Sequence, residues 1–394
     1  MNLRPEAIKS KEAVGLRKID LSVLKDDSGR RERYGSDPKV RAVKVGPLTI
    51  GGGAPVVVQS MCSTDTRDVD ATLAQVHRLV EAGCELVRVA VPDEKASAAL
   101  PDIVKGAGVP IVADIHFHYK RAIEAIEAGV AKVRLNPGNI GSRDRVKAVV
   151  DAAGAAGISI RIGVNSGSMP DDILQRDKYL VTPEGMVEAA LREVEILERE
   201  KFRSIIVSMK ATETKVMIEA NRLFRKKCDI PLHLGITEAG LEGYGTIKSS
   251  IGIGSLLCDG IGETIRVSLT AEPEEEIKVC WWILEASGVR RRSAELVACP
   301  TCGRIEIDLF SLASEVEKLL KGVDLPIKVS VMGCVVNGPG ESRDADIGVV
   351  GGKGKGLILR KGVIVHTVAE DELLPMFKRE LDALVEEHRL AEAG

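Results

Sequence analysis

Leu86-Val87-Arg88-Val89-Ala90-Val91, Pro110-Ile111-Val112-Ala113-Asp114-Ile115-His116 and Lys132-Val133-Arg134-Leu135-Asn136-Pro137 set the rhythm of this chain. Each is a short run rich in β-branched residues that ends in polar ones. Each is followed by a segment rich in Ala, Glu, Leu and Lys that reads as helix. Working outward, the same unit recurs at Pro55–Met61, Ser159–Asn165, Ser204–Lys210, Pro231–Glu238 and Glu263–Leu269. Eight strands alternating with helices imply a parallel sheet, and eight is the number that closes a barrel. The fold expected is an α/β (β/α)8 barrel. Its competitor, an open doubly wound sheet, calls for a glycine-rich dinucleotide turn after an early strand, and none occurs there.

Around this core the 394 residues divide into three. Residues 1–37 are charged and broken by Asp26-Asp27-Ser28-Gly29-Arg30-Arg31, and read as an N-terminal extension. The barrel domain is expected over 38–287, with a loop at Ser166–Val181 and then a helix opened by Thr182 as N-cap and Pro183 at its first position. A helix at Glu274–Ala286, carrying Trp281 and Trp282, leads into the basic linker Ser287–Ser293. Residues 288–394 read as a smaller α+β domain. It comprises a Cys-x-x-Cys loop, a helix at Leu309–Leu320, a strand at Ile327–Met332, a hairpin with its tip in Gly348–Gly356, and a final amphipathic helix to about Arg389.

Composition narrows the function. Apolar residues make up 44% and aromatics only 3%, so aliphatic side chains must fill the core. A net charge of −3 gives no general reason to expect nucleic acid or a membrane surface as partner. No apolar run approaches the roughly 20 residues of a spanning helix. Eight cysteines are too sparse for a disulfide scaffold, which predicts a reducing, cytoplasmic setting.

In a parallel barrel the chemistry lies at the C-terminal ends of the strands. Those ends carry Gln59 and Ser60, Arg88, Asp114 and His116, Arg134 and Asn136, Asn165, Lys210, Thr237 and Glu238, and Arg266 with Ser268. Four cations on four strands are costly in an apolar interior, but make sense around a phosphate or diphosphate, for which Arg supplies forked donors. Pairing with Asp114 and Glu238 is the plainer explanation for any one of them. His116 and His118 resemble the metal pair of some barrel hydrolases, though only His233 and Asp114 are near candidates as further ligands. Lys210 is also placed for a Schiff base. Cys62, Cys84, Cys228, Cys258 and Cys280 read as small core residues.

The C-terminal domain holds Cys299 and Cys302 in one loop and Cys334 in Met332-Gly333-Cys334. No fourth cysteine follows; the next strong ligand is Glu341, after a Gly-Pro-Gly turn. Three thiolates and one displaceable carboxylate describe an iron–sulfur site with an iron open to substrate. Structural zinc, with Cys280 or His366 as fourth ligand, and a redox pair are the alternatives.

These segments resemble one family. Gln59-Ser60-Met61 with Thr64-Asp65-Thr66, Arg134-Leu135-Asn136-Pro137-Gly138-Asn139, Gly163-Val164-Asn165-Ser166-Gly167-Ser168, Cys299-Pro300-Thr301-Cys302-Gly303-Arg304 and Met332-Gly333-Cys334 with Asn337-Gly338-Pro339-Gly340-Glu341 are typical of bacterial 4-hydroxy-3-methylbut-2-enyl diphosphate synthases of the non-mevalonate isoprenoid pathway. The resemblance runs from about residue 38 to the end. It implies a barrel joined to a domain like those of sulfite and nitrite reductases, and a 4Fe–4S cluster on Cys299, Cys302, Cys334 and Glu341. It also implies reductive opening and dehydration of 2-C-methyl-D-erythritol 2,4-cyclodiphosphate. Arg88, Arg134, Lys210, Arg266 and Ser268 would hold the diphosphate, with Asn136, Asn165 and Thr237 as neutral donors and Glu238 as proton donor. Reduced ferredoxin or flavodoxin would supply electrons. A head-to-tail homodimer, hinged near Ser287–Ser293, would bring one subunit's cluster to the other's barrel. The rivals are a non-enzymatic iron–sulfur carrier or sensor, and a zinc-dependent phosphosugar lyase built on His116 and Lys210.

Overall fold

The computed structural model describes residues 36–116 and 118–393. Apart from residues 36 and 37, the expected N-terminal extension lies outside the described residues. The first described element is a hairpin, β1 (Val43–Val45) and β2 (Leu48–Ile50). Eight parallel strands follow: β3 (Val57–Met61), β4 (Leu86–Ala90), β5 (Ile111–Asp114), β6 (Lys132–Arg134), β7 (Ser159–Asn165), β8 (Ile205–Lys210), β9 (His233–Leu234) and β10 (Thr264–Ile265). They pair in the order β8-β7-β6-β5-β4-β3-β10-β9. A parallel bridge between Val207 and Leu232 joins the two ends and closes the barrel.

Helix starts follow the local chemistry. Asp68, Asp93 and Thr182 each accept a hydrogen bond from the backbone N–H three residues on, so an orphan donor is satisfied at the first turn. The expected loop at Ser166–Val181 instead contains a 3-10 turn (Ser166–Ser168) and a short helix (Asp171–Arg176). The expected strands at Pro231–Glu238 and Glu263–Leu269 shrink to two residues each, because the chain beyond them leaves the ladder to form the mouth.

The hairpin was not foreseen. Its Val43, Val45 and Ile50 pack with Val57, Leu86, Val112 and Ile206, which lie low on the strands, and seal the barrel's N-terminal end. Above this apolar floor the interior turns polar, with Lys132, Arg134, Arg161 and Lys210 buried.

The C-terminal domain is a five-stranded sheet in the order β11 (Glu295–Ala298), β12 (Lys328–Met332), β13 (Ile347–Gly352), β14 (Lys355–Arg360) and β15 (Val363–Ala369). Helices Leu309–Leu320 and Leu373–Ala393 bury Leu309, Val316, Phe377, Leu381 and Leu384 against it. The hairpin tip falls between β13 and β14 as expected, whereas β11 and β15 were not read.

The stretch Ser287–Ser293 is not a free linker. Arg290 forks onto Glu85 at 2.8 and 2.9 Å and donates to the Val56 carbonyl at 2.7 Å. The guanidiniums of Arg290 and Arg292 each lie 4.8 Å from the Trp281 ring. Ser293 donates to Glu285 at 2.7 Å, while Ala294 already donates to Val323 of the C-terminal domain. The expected hinge segment is thus pinned along its length, and Arg291 pairs onward with Glu295 of β11 at 2.7 Å.

Candidate functional site

Residues two apart on a strand share a face, and register lines up two interior rows. Asp114, Arg134 and Arg161 are paired across β5, β6 and β7. One pleat deeper, Arg88, Val112 and Lys132 are paired across β4, β5 and β6. Lys210 on β8 and Arg266, just past β10, complete six cations directed into one barrel. Lys132, Arg134, Arg161 and Lys210 are buried, and the side chains of Arg88 and Arg266 are 13% and 17% exposed.

Two carboxylates answer them. Asp114 lies 3.4 Å from Arg134, 3.8 Å from Arg88 and 3.5 Å from His116. Burial alone would raise its pKa, but the His116 hydrogen bond with Arg88 and Arg134 outweighs burial and holds it below the usual carboxylate range. Glu276 reaches in from the helix Pro273–Ala286, accepting from Ser60 at 3.3 Å and from the Leu269 N–H at 3.0 Å, with Arg266 at 3.7 Å. Burial raises its pKa against the pull of Arg266.

The remaining positive charge shows in the other groups. Burial, then Arg266 and Arg161, holds Lys210 well below the ordinary lysine range. Arg88 is lowered to about 10, chiefly by burial, with Arg266 and Arg134 outweighed only in part by Asp114. The cup suits a ligand with several negative charges.

Glycine makes the cup possible at two points. A Cβ on Gly163 would lie 2.8 Å from Arg134 Nε, and one on Gly235 would lie 2.5 Å from Lys210 Nζ. Gly163 also fixes the neighbours: its N–H donates to Asn136 Oδ1 and its carbonyl accepts from Asn136 Nδ2, both at 2.9 Å, and from Arg134 at 3.3 Å.

Of the strand-end residues, Arg88, Arg134, Lys210 and Arg266 converge. Ser268 follows Arg266, half-buried. Asn165, paired in register with Lys210, links the cup to a second cavity of about 410 Å³ at the mouth, lined with Ser166, Ser168, Thr212, Thr237 and Glu238. Thr237 and Glu238 stand past β9, and Glu238 is exposed with φ at 54°. That left-handed backbone is uncommon for a non-glycine residue and clusters at functional sites. Lys132, Arg161 and Glu276 were missed. The first two share the parity of Arg134 and Asn165, a signal that was available; Glu276 comes from a helix, and no local pattern reveals it.

His118 is exposed at the start of the helix Tyr119–Glu127, and His233 is buried with Nδ1 2.7 Å from Thr264 Oγ1. Among the described residues no three His, Cys, Asp or Glu side chains converge tightly enough for a single metal ion. Cys62, Cys84 and Cys280 are buried as expected, but Cys228 is half-buried and Cys258 exposed.

In the C-terminal domain, Cys299, Cys302, Cys334 and Glu341 line one cavity of about 360 Å³ with Pro300, Arg304 and Asn337. Cys299 follows β11, Cys334 follows β12, and Glu341 ends a short helix (Gly338–Glu341) whose Glu341 N–H donates to Asn337 at 2.9 Å. The Gly333 N–H donates to Cys299 Sγ at 3.2 Å. Hydrogen bonds from the Arg304 backbone and side chain lower the Cys302 pKa. Soft donors spread around a roomy cavity, one already accepting an N–H···S bond, suit a multi-iron group better than one ion.

Sequence comparison agrees with this division. The "GcpE TIM-barrel domain" matches residues 40–281 and the "GcpE protein C-terminal domain" matches 295–383. A Bacillus licheniformis protein, "4-hydroxy-3-methylbut-2-en-1-yl diphosphate synthase (flavodoxin)", is 54% identical over 90% of this chain and 96% of its own length. The Bacillus subtilis protein of the same name is 55% identical over 89% of this chain. Among solved structures, a Yersinia pestis dihydropteroate synthase overlays 63% of the chain with a TM-score of 0.45 and 13% identity.

Proposed function

The chain belongs to the GcpE family, and from that premise we propose how its two groups of residues divide the reaction. It makes 4-hydroxy-3-methylbut-2-enyl diphosphate in the non-mevalonate isoprenoid pathway, as its relatives' name states. The substrate is 2-C-methyl-D-erythritol 2,4-cyclodiphosphate. The ring C–O bond to phosphate breaks, the C3 oxygen leaves as water, and two electrons and a proton enter. The observation that carries the substrate class is the barrel's excess of buried cations over carboxylates.

Arg88, Arg134, Arg161, Lys210, Arg266 and Ser268 hold the diphosphate, and Asn136, Asn165 and Thr237 add neutral donors. Ring opening turns a diester oxygen into a terminal diphosphate oxygen with an added charge. Donors already fixed by Asp114, Glu276 and Gly163 stabilise that charge without reorganising. Glu238, in the mouth cavity, supplies the proton for the departing water. Cys299, Cys302, Cys334 and Glu341 hold a 4Fe–4S cluster, which when bound supplies electrons and a Lewis-acidic iron that Glu341 can yield.

The domains then run 1–37, 38–287 and 288–394, with residues 288–293 held on the barrel and the last domain resembling sulfite and nitrite reductase modules. Flavodoxin, named for the relatives, is the electron donor. The assembly is a head-to-tail homodimer. Its support is the clamp at Val56 and Glu85, which lie at the starts of β3 and β4, so the chain leaves the barrel at the end opposite its cup.

The test is anaerobic purification with iron, sulfide and zinc analysis, then addition of the cyclodiphosphate and a strong one-electron reductant. About four irons and four sulfides per chain, with linear allylic diphosphate formed, is the expected result. Zinc without sulfide would sink the redox mechanism.

A further inference from the structure

The cationic barrel holds one amine that the reaction above leaves without a task. Lys132 is fully buried, and its hydrogen bond is to the neutral Gln59 Oε1 at 3.3 Å. Among the described residues it forms no ion pair. The groups that act on it are Gln59 on β3, Arg88 on β4, Arg161 on β7 and His233 on β9. Asp114 on β5 is committed to Arg88, Arg134 and His116, and Glu276 to Arg266 and Ser60. Buried polar atoms around the same interior, Gln59 Nε2, Ser159 Oγ, Arg161 Nε and His233 Nε2, also lack partners. The layer under the cup is therefore polar and positively charged, and Asp114 and Glu276 offset it only in part.

A guanidinium cannot shed a proton near neutral pH, so relief of this charge falls to the amines and to His233. Burial, then Arg161 and Arg88, holds Lys132 well below the ordinary lysine range, and no carboxylate is among the influences on it. Lys210 is lowered as well, by burial and then Arg266, Arg161 and Arg88, but there Glu276 offsets a part. In the cyclodiphosphate reading, the ligand's negative charges partly offset those of Arg88 and Arg161 and so favour the charged form of Lys132.

We propose that Lys132 is the proton acceptor that balances the substrate's charge: binding of the cyclic diphosphate above it is accompanied by uptake of about one proton onto its amine. Lys132 is thus a positioning residue, acting on the ligand through the charge of the layer below it. The inference rests on the cyclodiphosphate reading of the cup.

The sign follows from linkage. A group whose protonation midpoint rises on binding favours the complex at low pH, and that gain is lost as pH rises. The test is calorimetric titration of the anaerobic, cluster-loaded protein with the cyclodiphosphate, without reductant, in two buffers of different ionisation enthalpy. The ligand's two diester phosphates do not titrate near neutrality, so any proton exchanged belongs to the protein. Uptake of about one proton is expected, with Kd rising about tenfold per pH unit over the interval where uptake is seen. In Lys132→Met both signals should vanish while binding persists. A Kd independent of pH between pH 6 and 10, binding without buffer dependence, or unchanged uptake in Lys132→Met would each overturn the proposal and leave the cyclodiphosphate reading standing. Failure of the wild-type protein to bind would overturn that reading, and this inference with it.

Discussion

Gly163 shows how one absent side chain sets the position of a charged one. With a Cβ there, Arg134 Nε would be met at 2.8 Å, so Gly163→Ala must displace the guanidinium that also donates to the Gly163 carbonyl. A hydrogen bond to a charged group is worth about 1.5–3 kcal/mol, so affinity for the cyclodiphosphate should fall about 10- to 100-fold by calorimetry. An unchanged Kd would separate Arg134 from the cup. Asp114→Asn tests the opposite sign. Losing one partner of a buried pair costs about 3–5 kcal/mol, and here it leaves Arg88 and Arg134 without their shared acid. The variant should melt lower than wild type, and added cyclodiphosphate should raise its Tm by more than it raises the wild-type Tm. Because the folded Asp114 pKa is depressed, its stabilisation is present above the ordinary carboxylate range and fades only as pH falls through the lowered value. At this scale the sequence was legible where a residue type contradicts its expected burial, as with Arg134 or Lys210. Arg161 and Lys132 lie four and two residues below Asn165 and Arg134, on the face that alternation carries down from the strand tips. The partner of Arg266 was invisible: Glu276 is one of three consecutive glutamates, and only the packed helix selects which of them turns inward.

At the scale of elements, long strands and capped helices were legible because local chemistry decides them. Ser159–Asn165 and Leu309–Leu320 are formed with the expected bounds, and the Thr182–Pro183 start holds. What failed depends on distant partners. β9 and β10 are cut short by the path of the mouth, and the β1–β2 hairpin exists because the barrel floor needs covering. The basic run Arg290-Arg291-Arg292 reads as a solvated linker, yet Trp281 lies between two of its guanidiniums and Glu85 takes the fork of Arg290. Glu85→Ala should release this segment. Limited trypsin digestion should then cut at residues 290–292 faster, by about tenfold for each ~1.4 kcal/mol of local stability lost. Binding of the cyclodiphosphate should persist, since Glu85 lies at the start of β4, away from the cup. Equal cutting in variant and wild type would mean that the clamp adds no local stability.

For the whole molecule, the question is which barrel a given set of cysteines serves. The pinned linker leaves at the strand starts, whereas the cations gather toward the strand ends. Directly after Cys334, Val335 and Val336 stand 46% and 68% exposed, apolar surface of the kind that marks a contact. In a head-to-tail dimer each working site takes its barrel from one chain and its cysteines from the other. Complementation tests this directly. Arg134→Ala damages the barrel and leaves the cysteines; Cys334→Ser damages the cysteine site and leaves the barrel. Each variant alone should be nearly inactive. After the two are mixed equally and allowed to exchange subunits, half the dimers are hybrids. One of the two sites in each hybrid joins an intact barrel to an intact cysteine domain, so activity should recover to about one quarter of the wild-type value. If each chain completed its own site, the hybrids would contain only damaged sites. Mixing would then restore nothing, despite the subunit exchange that size-shifted tags would report.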